Sequence, residues 1–394
     1  MGMDKIPVTL LTGFLGAGKT TLLRRLLADP RFADTAVVIN EFGEVGLDHL
    51  LVEAAPEAIV EMTSGCLCCT VRGDIRQTLL MLLARSEAGE IPLFSRLVVE
   101  TTGLADPAPV IHTLMVDPRL ARRFRLAQVV TVVDAVNGPA TLAAHPEAVK
   151  QVAVADRLVL TKTDLAGPAP VVGGAGGAGP AGLHRQLQAL NPGAAVDDAN
   201  AADFDLRRLV TDVGGFDPAA KGPAVREWLA AEAVAAAEAA PHGHHHGHHD
   251  HTHDAHHHGD HPHAGHAHGA GDAAHRHDVN RHSEAIRAYC LTLEAPISRF
   301  AFAMAMELLT ANQGEDLLRV KGIVALAEQP ERPLVIHGVQ HLLHEPVTLE
   351  RWPDDDRRTR LVFVTRNIPR ETMQRFFDAW TAVSATDLQG DAPL

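Results

Sequence analysis

Residues Gly13 to Thr20, GFLGAGKT, have the spacing glycine, four residues, then Gly-Lys-Thr. The run lies between an apolar stretch, Ile6 to Leu11, and a leucine-rich one, Thr21 to Leu27. Glycines at 13, 16 and 18 let backbone N–H groups turn inward around a phosphate, and the helix that follows adds the positive end of its dipole. Lys19 can then reach the β and γ phosphates, and the Thr20 hydroxyl can bind Mg²⁺. Gly13, Gly16, Ala17, Gly18, Lys19, Thr20 and Thr21 are therefore candidates for holding a nucleoside triphosphate. A Gly-rich turn before a helix would look similar in isolation. Here strand, loop and helix come in the order that phosphate binding needs.

Two further stretches complete a nucleotide site. LVVETTG, Leu97 to Gly103, ends an apolar run with an acid and then a glycine. That arrangement puts the Glu100 carboxylate near Mg²⁺ and lets a backbone N–H approach a γ phosphate, so Lys19, Thr20 and Glu100 form the catalytic candidate set. LVLTKTD, Leu158 to Asp164, carries a Thr-Lys-x-Asp turn. Its Asp164 can accept both N1–H and N2–H of guanine, with Lys162 beside it, whereas adenine offers no matching donor pair and would leave a buried carboxylate unpaired. GTP is favoured over ATP. The same tetrapeptide could also be a surface turn that caps a helix.

Gly65-Cys66-Leu67-Cys68-Cys69 puts three thiols in four residues, expected on a loop that leads into a helix near Gly73. Thiolates are soft ligands suited to Zn²⁺, Co²⁺ or Cu⁺. Adjacent side chains such as Cys68 and Cys69 cannot easily face one tetrahedral ion, so Cys66 and Cys68 plus an outside ligand, first of all Glu41, are the expected set, with Cys69 as reserve. Packed as small hydrophobes, the same residues would form an apolar cluster instead. Cys290, in the alternating run Ala288 to Leu293, reads as an ordinary strand residue.

These groups need a scaffold, and the first half of the chain alternates β-branched runs with helical patterns. Ile6 to Leu11, Thr35 to Ile39, Ala58 to Met62, Leu97 to Glu100, Val129 to Val133 and Leu158 to Leu160 read as buried strands. Thr20 to Ala28, Ile75 to Ala84 and Gly182 to Leu190 read as helices. The fold class that follows is α/β, a P-loop NTPase with a mostly parallel sheet covered by helices on both faces. Ligands on such a sheet gather at the carboxyl ends of its strands, where Glu41, Cys66, Glu100 and Asp164 are expected.

The set GFLGAGKTTLL, NEFGEVGLD, GCLCC, ETTGLADPAPV and TKTDL, in this order, resembles the CobW-like family of P-loop GTPases, from about Lys5 to Leu165 and more weakly in the C-terminal region. The resemblance implies slow GTP hydrolysis to GDP and phosphate, coupled to delivery of Zn²⁺ or Co²⁺ to a client metalloprotein or metal-dependent biosynthetic enzyme. It assigns metal to the cysteines and nucleotide to the P-loop, Glu100 and the TKTD turn. Two features depart from the pattern: an Ala/Gly/Pro-rich insertion at Ala166 to Gly182, and Thr161 where many GTPases have Asn.

Composition bounds the rest. With 394 residues and 46% hydrophobic content the chain can bury a large core in two or three units, expected as a GTPase domain at 1–225, a helical then His-rich linker at 226–282 and an α+β domain at 283–394. A net charge of −14 without a basic run argues against nucleic acid as partner. No signal pattern or apolar run of spanning length is visible, so the expectation is a cytoplasmic protein that does not enter a membrane, with room for a homo-oligomer. His242 to His282 holds 18 of the 25 histidines. Such a tract cannot form a core, and it should bind several transition-metal ions loosely.

In the last region Arg287 to Leu293, Leu317 to Leu326, Pro333 to Leu343 and Arg360 to Thr365 are expected as strands, with helices at Ile297 to Thr310 and Arg370 to Ala382. His337, His341 and His344 have helical metal-site spacing, but a strand there would turn His344 away from the other two. The family's C-terminal domain is similarly placed, which implies a role in sensing nucleotide state or meeting the client. Two functions stay open: a GTPase metallochaperone, or a His-rich metal store with a regulatory nucleotide domain. An ATP-dependent small-molecule kinase is disfavoured by Asp164.

Overall fold

The computed structural model describes residues 5–40, 59–61, 67–71, 75–166, 180–210 and 286–390. Eight strands form the first sheet: β1 Ile6–Thr12, β2 Thr35–Asn40, β3 Ile59–Glu61, β4 Leu67–Val71, β5 Arg96–Glu100, β6 Phe124–Asp134, β7 Arg157–Thr161 and β8 Ala195–Asp198. Their order is β3-β4-β2-β5-β1-β6-β7-β8, and every pairing is parallel except the edge pair β3 with β4. The helices between them are α1 Lys19–Leu27, α2 Ile75–Glu87, α3 Ala108–Val116, α4 Pro118–Arg123, α5 Gly138–Ala144, α6 Pro146–Ala153 and α7 Pro180–Leu190.

Near-continuous apolar runs let the central strands bury both faces. On one face Leu11, Val37, Val98, Val130 and Val159 meet Leu22, Leu23, Leu26 and Leu27 of α1. On the other, Leu10, Val38, Val99, Val129 and Leu158 meet Leu79 of α2, Ile111 of α3, Val149 of α6 and Leu187 of α7. The expected parallel sheet with helices on both faces is what forms.

The second sheet has antiparallel pairings throughout: β9 Ile286–Leu293, β10 Leu317–Val324, β11 Leu334–Val339, β12 Leu342–Leu343, β13 Val347–Thr348 and β14 Thr359–Arg366. Two helices, α8 Arg299–Gln313 and α9 Arg370–Gly390, pack on one face through Phe302, Met306, Met373 and Phe377. Cys290 lies in β9 opposite Val362. The single strand expected at Pro333 to Leu343 is instead a hairpin that turns at Gln340, whose φ is +53°.

That hairpin corrects the histidine expectation. His344 comes back against His337, ring centroids 4.3 Å apart and nearly parallel, while His341 faces His112 of α3 at 5.6 Å. Among the described residues no three His, Cys, Asp or Glu side chains are grouped to hold a metal. The stacked pair instead belongs to a buried seam between the two sheets. Asp156 accepts from the Val129 N–H at 2.8 Å and pairs with Arg319 and with Lys321 (3.3 Å), both from β10. Arg319 also donates to the Val154 carbonyl and lies 3.4 Å from His337 Nε2.

Burial raises the Asp156 carboxyl, and the two cations more than reverse that, leaving it below its usual range. Burial pushes His344 down to about 4, with Asp156 opposing and Arg319 assisting. The unfolded chain therefore binds the His344 proton more readily between pH 4 and 6.5, so this contribution is complete above 6.5 and lost as pH falls towards 4. At the limit it is worth about 3 kcal/mol. Denaturant melts over this range should show a shallower acid slope for His344→Gln than for the parent; equal slopes would show that His344 does not titrate there.

Candidate functional site

Strands β1, β5, β6 and β7 deliver their carboxyl ends to one edge of the first sheet, and the nucleotide candidates collect there. Gly13, Gly16 and Gly18 adopt φ of +139°, +73° and +95°. At Gly13 glycine is required twice over, because a Cβ would also lie 2.3 Å from the Val132 carbonyl oxygen. Lys19, 8% exposed, folds its ammonium back to donate to the carbonyls of Gly13 (2.8 Å) and Phe14 (3.3 Å). Burial lowers its pKa, and the nearby Glu100 charge partly restores it.

Thr20 Oγ1 lies 3.4 Å from Glu100 Oε1, a hydroxyl and a carboxylate paired at the start of α1. Behind them Thr101 donates its N–H to Leu11 O and its hydroxyl to Thr12 Oγ1, which locks the end of β5 to β1. Gly103 passes so close beneath the phosphate loop that a Cβ would lie 2.5 Å from Leu15 N. Gln151 of α6 then holds the next carbonyls, Gly103 O at 3.1 Å and Ala105 O at 3.0 Å.

The TKTD turn reaches into the same loop. Thr161 Oγ1 donates to Ala17 O at 2.6 Å, so a hydroxyl secures the loop at the position where many GTPases use an amide. Lys162 takes a left-handed backbone, φ +56°, and donates to Gly16 O (2.8 Å) and Asp134 Oδ2 (2.7 Å). Asp164 Oδ1 accepts from Asn200 Nδ2 at 2.6 Å, while Thr163 and the Asn200 N–H both donate to Asp198. A cavity of about 190 Å³ adjoins the loop, lined by Phe14, Leu15, Asp134, Gln151 and Lys162 among others.

Lys19, Thr20, Glu100 and Lys162 are thus joined to one loop, directly or through one neighbour, while Asp164, two residues on from Lys162, is held by Asn200. The cysteine segment is not where it was expected. Leu67–Val71 is strand β4, with Cys68 opposite Val37 and Cys69 opposite Val38 in the body of the sheet. Leu67 pairs with Ala36, so β4 begins four residues, roughly 13 Å, back from the carboxyl end of β2. Glu41 and Cys66 lie outside the described residues, as do most of the 166–182 insertion and the whole His-rich tract.

Residues 7–174 match the family model described as CobW/HypB/UreG, nucleotide-binding domain, and residues 286–381 match the cobalamin synthesis protein CobW C-terminal domain. Over 375 residues the chain is 32% identical to the zinc chaperone YjiA of Escherichia coli, covering 95% of this chain and 98% of that protein. The chain belongs to the CobW family. A crystal structure of zinc-bound YjiA GTPase from E. coli superposes with a TM-score of 0.66 at 30% identity, over 96% of this chain and 99% of the other. The zinc chaperone CobW of Pseudomonas aeruginosa is 40% identical over 159 residues, 38% of this chain and 41% of that protein.

In this CobW-family chain Asp134, Gln151, Asp198 and Asn200 support the edge where the nucleotide candidates lie, yet motif reading passes over them. VVTVVD ends in an acid just as LVVE does, so Asp134 carries the signal that singles out Glu100. Gln151 and Asn200 act across gaps of 48 and 36 positions and carry no local signal.

Proposed function

We propose that this protein is a metallochaperone in which GTP binding and hydrolysis govern the holding and release of Zn²⁺ or Co²⁺ at the C-x-C-C cysteines, for transfer to a client metalloprotein or metal-dependent enzyme. The chain is a GTPase of the CobW family, with GTP and Zn²⁺ as the groups it handles. The strand order β4-β2-β5-β1 carries the reading. It sets the cysteine strand beside β2, whose end leads to Glu41, and sets β2 beside the strand that ends in Glu100. A change at the phosphate loop thus has one strand, β5, to cross before it reaches β2.

The loop is suited to phosphate: its glycines have the required backbone, Lys19 is a preformed donor, and α1 begins at Lys19. Thr20 and Glu100 would hold Mg²⁺, which on binding neutralises charge on the phosphates. Lys162 and Asp164 would fix guanine. A centre joining Glu41 to Cys66 and Cys68 requires the cysteine strand to leave its present register, because β4 starts at the far end of β2. That rearrangement is what γ phosphate would drive and hydrolysis would reverse. We read residues 1–225 as the nucleotide unit and 283–394 as the client- or state-reading unit, with 226–282 between them.

Nucleotide choice tests the base assignment. GTP should bind well over tenfold more tightly than ATP, and Asp164→Asn should admit xanthine nucleotides. Equal affinities for GTP and ATP in a competition titration would remove Asp164 from the site. The His-rich tract supports a second reading, a metal store with a regulatory nucleotide domain, since 18 histidines in 41 residues exceed what a spacer needs.

A further inference from the structure

Asp134 is the last residue of β6, and its carboxylate accepts four hydrogen bonds. Oδ1 takes the N–H groups of Val136 (2.8 Å) and Asn137 (3.0 Å), while Oδ2 takes Asn137 Nδ2 (3.0 Å) and Lys162 Nζ (2.7 Å). Its side chain is 9% exposed. The Lys162 ammonium spans from this carboxylate to Gly16 O, in the middle of the phosphate loop, at 2.8 Å. Lys162 also holds a left-handed backbone that a non-glycine residue adopts only when its surroundings fix it. Pinning the side chain at both acceptors is such a constraint.

We propose that Asp134 is a positioning residue for guanine nucleotides: it holds Lys162 against Gly16 and so fixes the base-reading turn at a set distance from the phosphate loop. The proposal rests on the reading of Lys162 and Asp164 as the guanine turn. A charged acceptor suits the task better than an amide. Gly16 supplies only a neutral carbonyl, and the ammonium would otherwise turn to solvent. Burial raises the Asp134 pKa, but bonds from Lys162 and Asn137 outweigh it and leave the group below its ordinary value. The carboxylate is thus ionised at neutral pH.

The test is a double-mutant cycle in the full-length chain: Asp134→Asn, Lys162→Met and both together, with GTP and GDP affinities, steady-state kinetics and melting temperatures. Asparagine keeps an oxygen for the Val136 and Asn137 N–H groups; if that variant does not fold, Asp134→Ser keeps a hydroxyl acceptor. Asp134→Asn should weaken GTP and GDP alike by about tenfold, the loss of one charge-assisted hydrogen bond. KM should rise by several times more than kcat falls. The double variant should bind within about twofold of Lys162→Met alone, because Asp134 acts through that lysine. Additive losses, or a lower melting temperature with affinity unchanged, would overturn the proposal and leave the guanine turn standing. If Lys162→Met binds GTP as the parent does, the guanine-turn reading itself fails and the proposal falls with it.

Discussion

Lys19→Ala should weaken GTP and GDP by about 10²-fold or more. The ammonium is buried and already held by two carbonyls of its own loop, so it turns towards a phosphate without first being stripped of bulk water. Each hydrogen bond between charged groups is worth about 1.5–3 kcal/mol, and two such bonds to phosphate oxygens amount to about 3–6 kcal/mol. Removing them converts to a loss of at least two orders of magnitude. Titration with a fluorescent guanine nucleotide measures this directly, with melting temperatures to confirm that the loop still folds. A loss below tenfold would mean that the phosphates sit elsewhere.

Much of the candidate nucleotide edge is legible because its chemistry is local in sequence. A phosphate loop, an acid at a strand end and a TKTD turn each lie within eight residues, and the apolar runs beside them mark the strands. What escapes sequence reading is what depends on distant partners. Gln128 and Thr131 are polar yet fully buried in β6, because the Arg208 and Gln151 carbonyls accept from them. Gln128, just before the expected start at Val129, hides that the strand begins at Phe124. The β11–β12 hairpin turns at Gln340, which lacks the usual glycine or asparagine, and so reads as one continuous strand. Gly65 to Cys69 was expected as a loop because three thiols suggest metal chemistry. Cys68 and Cys69 are small and apolar as residues, and Leu67–Val71 forms a strand between β2 and β3. The buried seam of Asp156, Arg319 and Lys321 unites groups more than 160 positions apart, and no spacing rule points to it.

Among the described residues no helix is long and apolar enough to cross a membrane. The central claim concerns how nucleotide and metal binding are linked. If γ phosphate draws the cysteine strand and the segment after β2 together, metal affinity must differ between nucleotide states, and by linkage metal must change GTP affinity by the same factor. Co²⁺ makes the test direct, because thiolate ligation gives an intense charge-transfer band that carboxylate and imidazole do not. The titration should be run on the full chain and on a form lacking residues 242–282, so that histidine-bound ions are not counted. With a non-hydrolysable GTP analogue the band should appear at roughly 5- to 150-fold lower Co²⁺ than with GDP, a coupling of about 1–3 kcal/mol. Cys66→Ala or Cys68→Ala should abolish it, and Cys69→Ala should weaken it. A band that appears at the same Co²⁺ concentration with GDP and with the GTP analogue would contradict nucleotide-driven metal release.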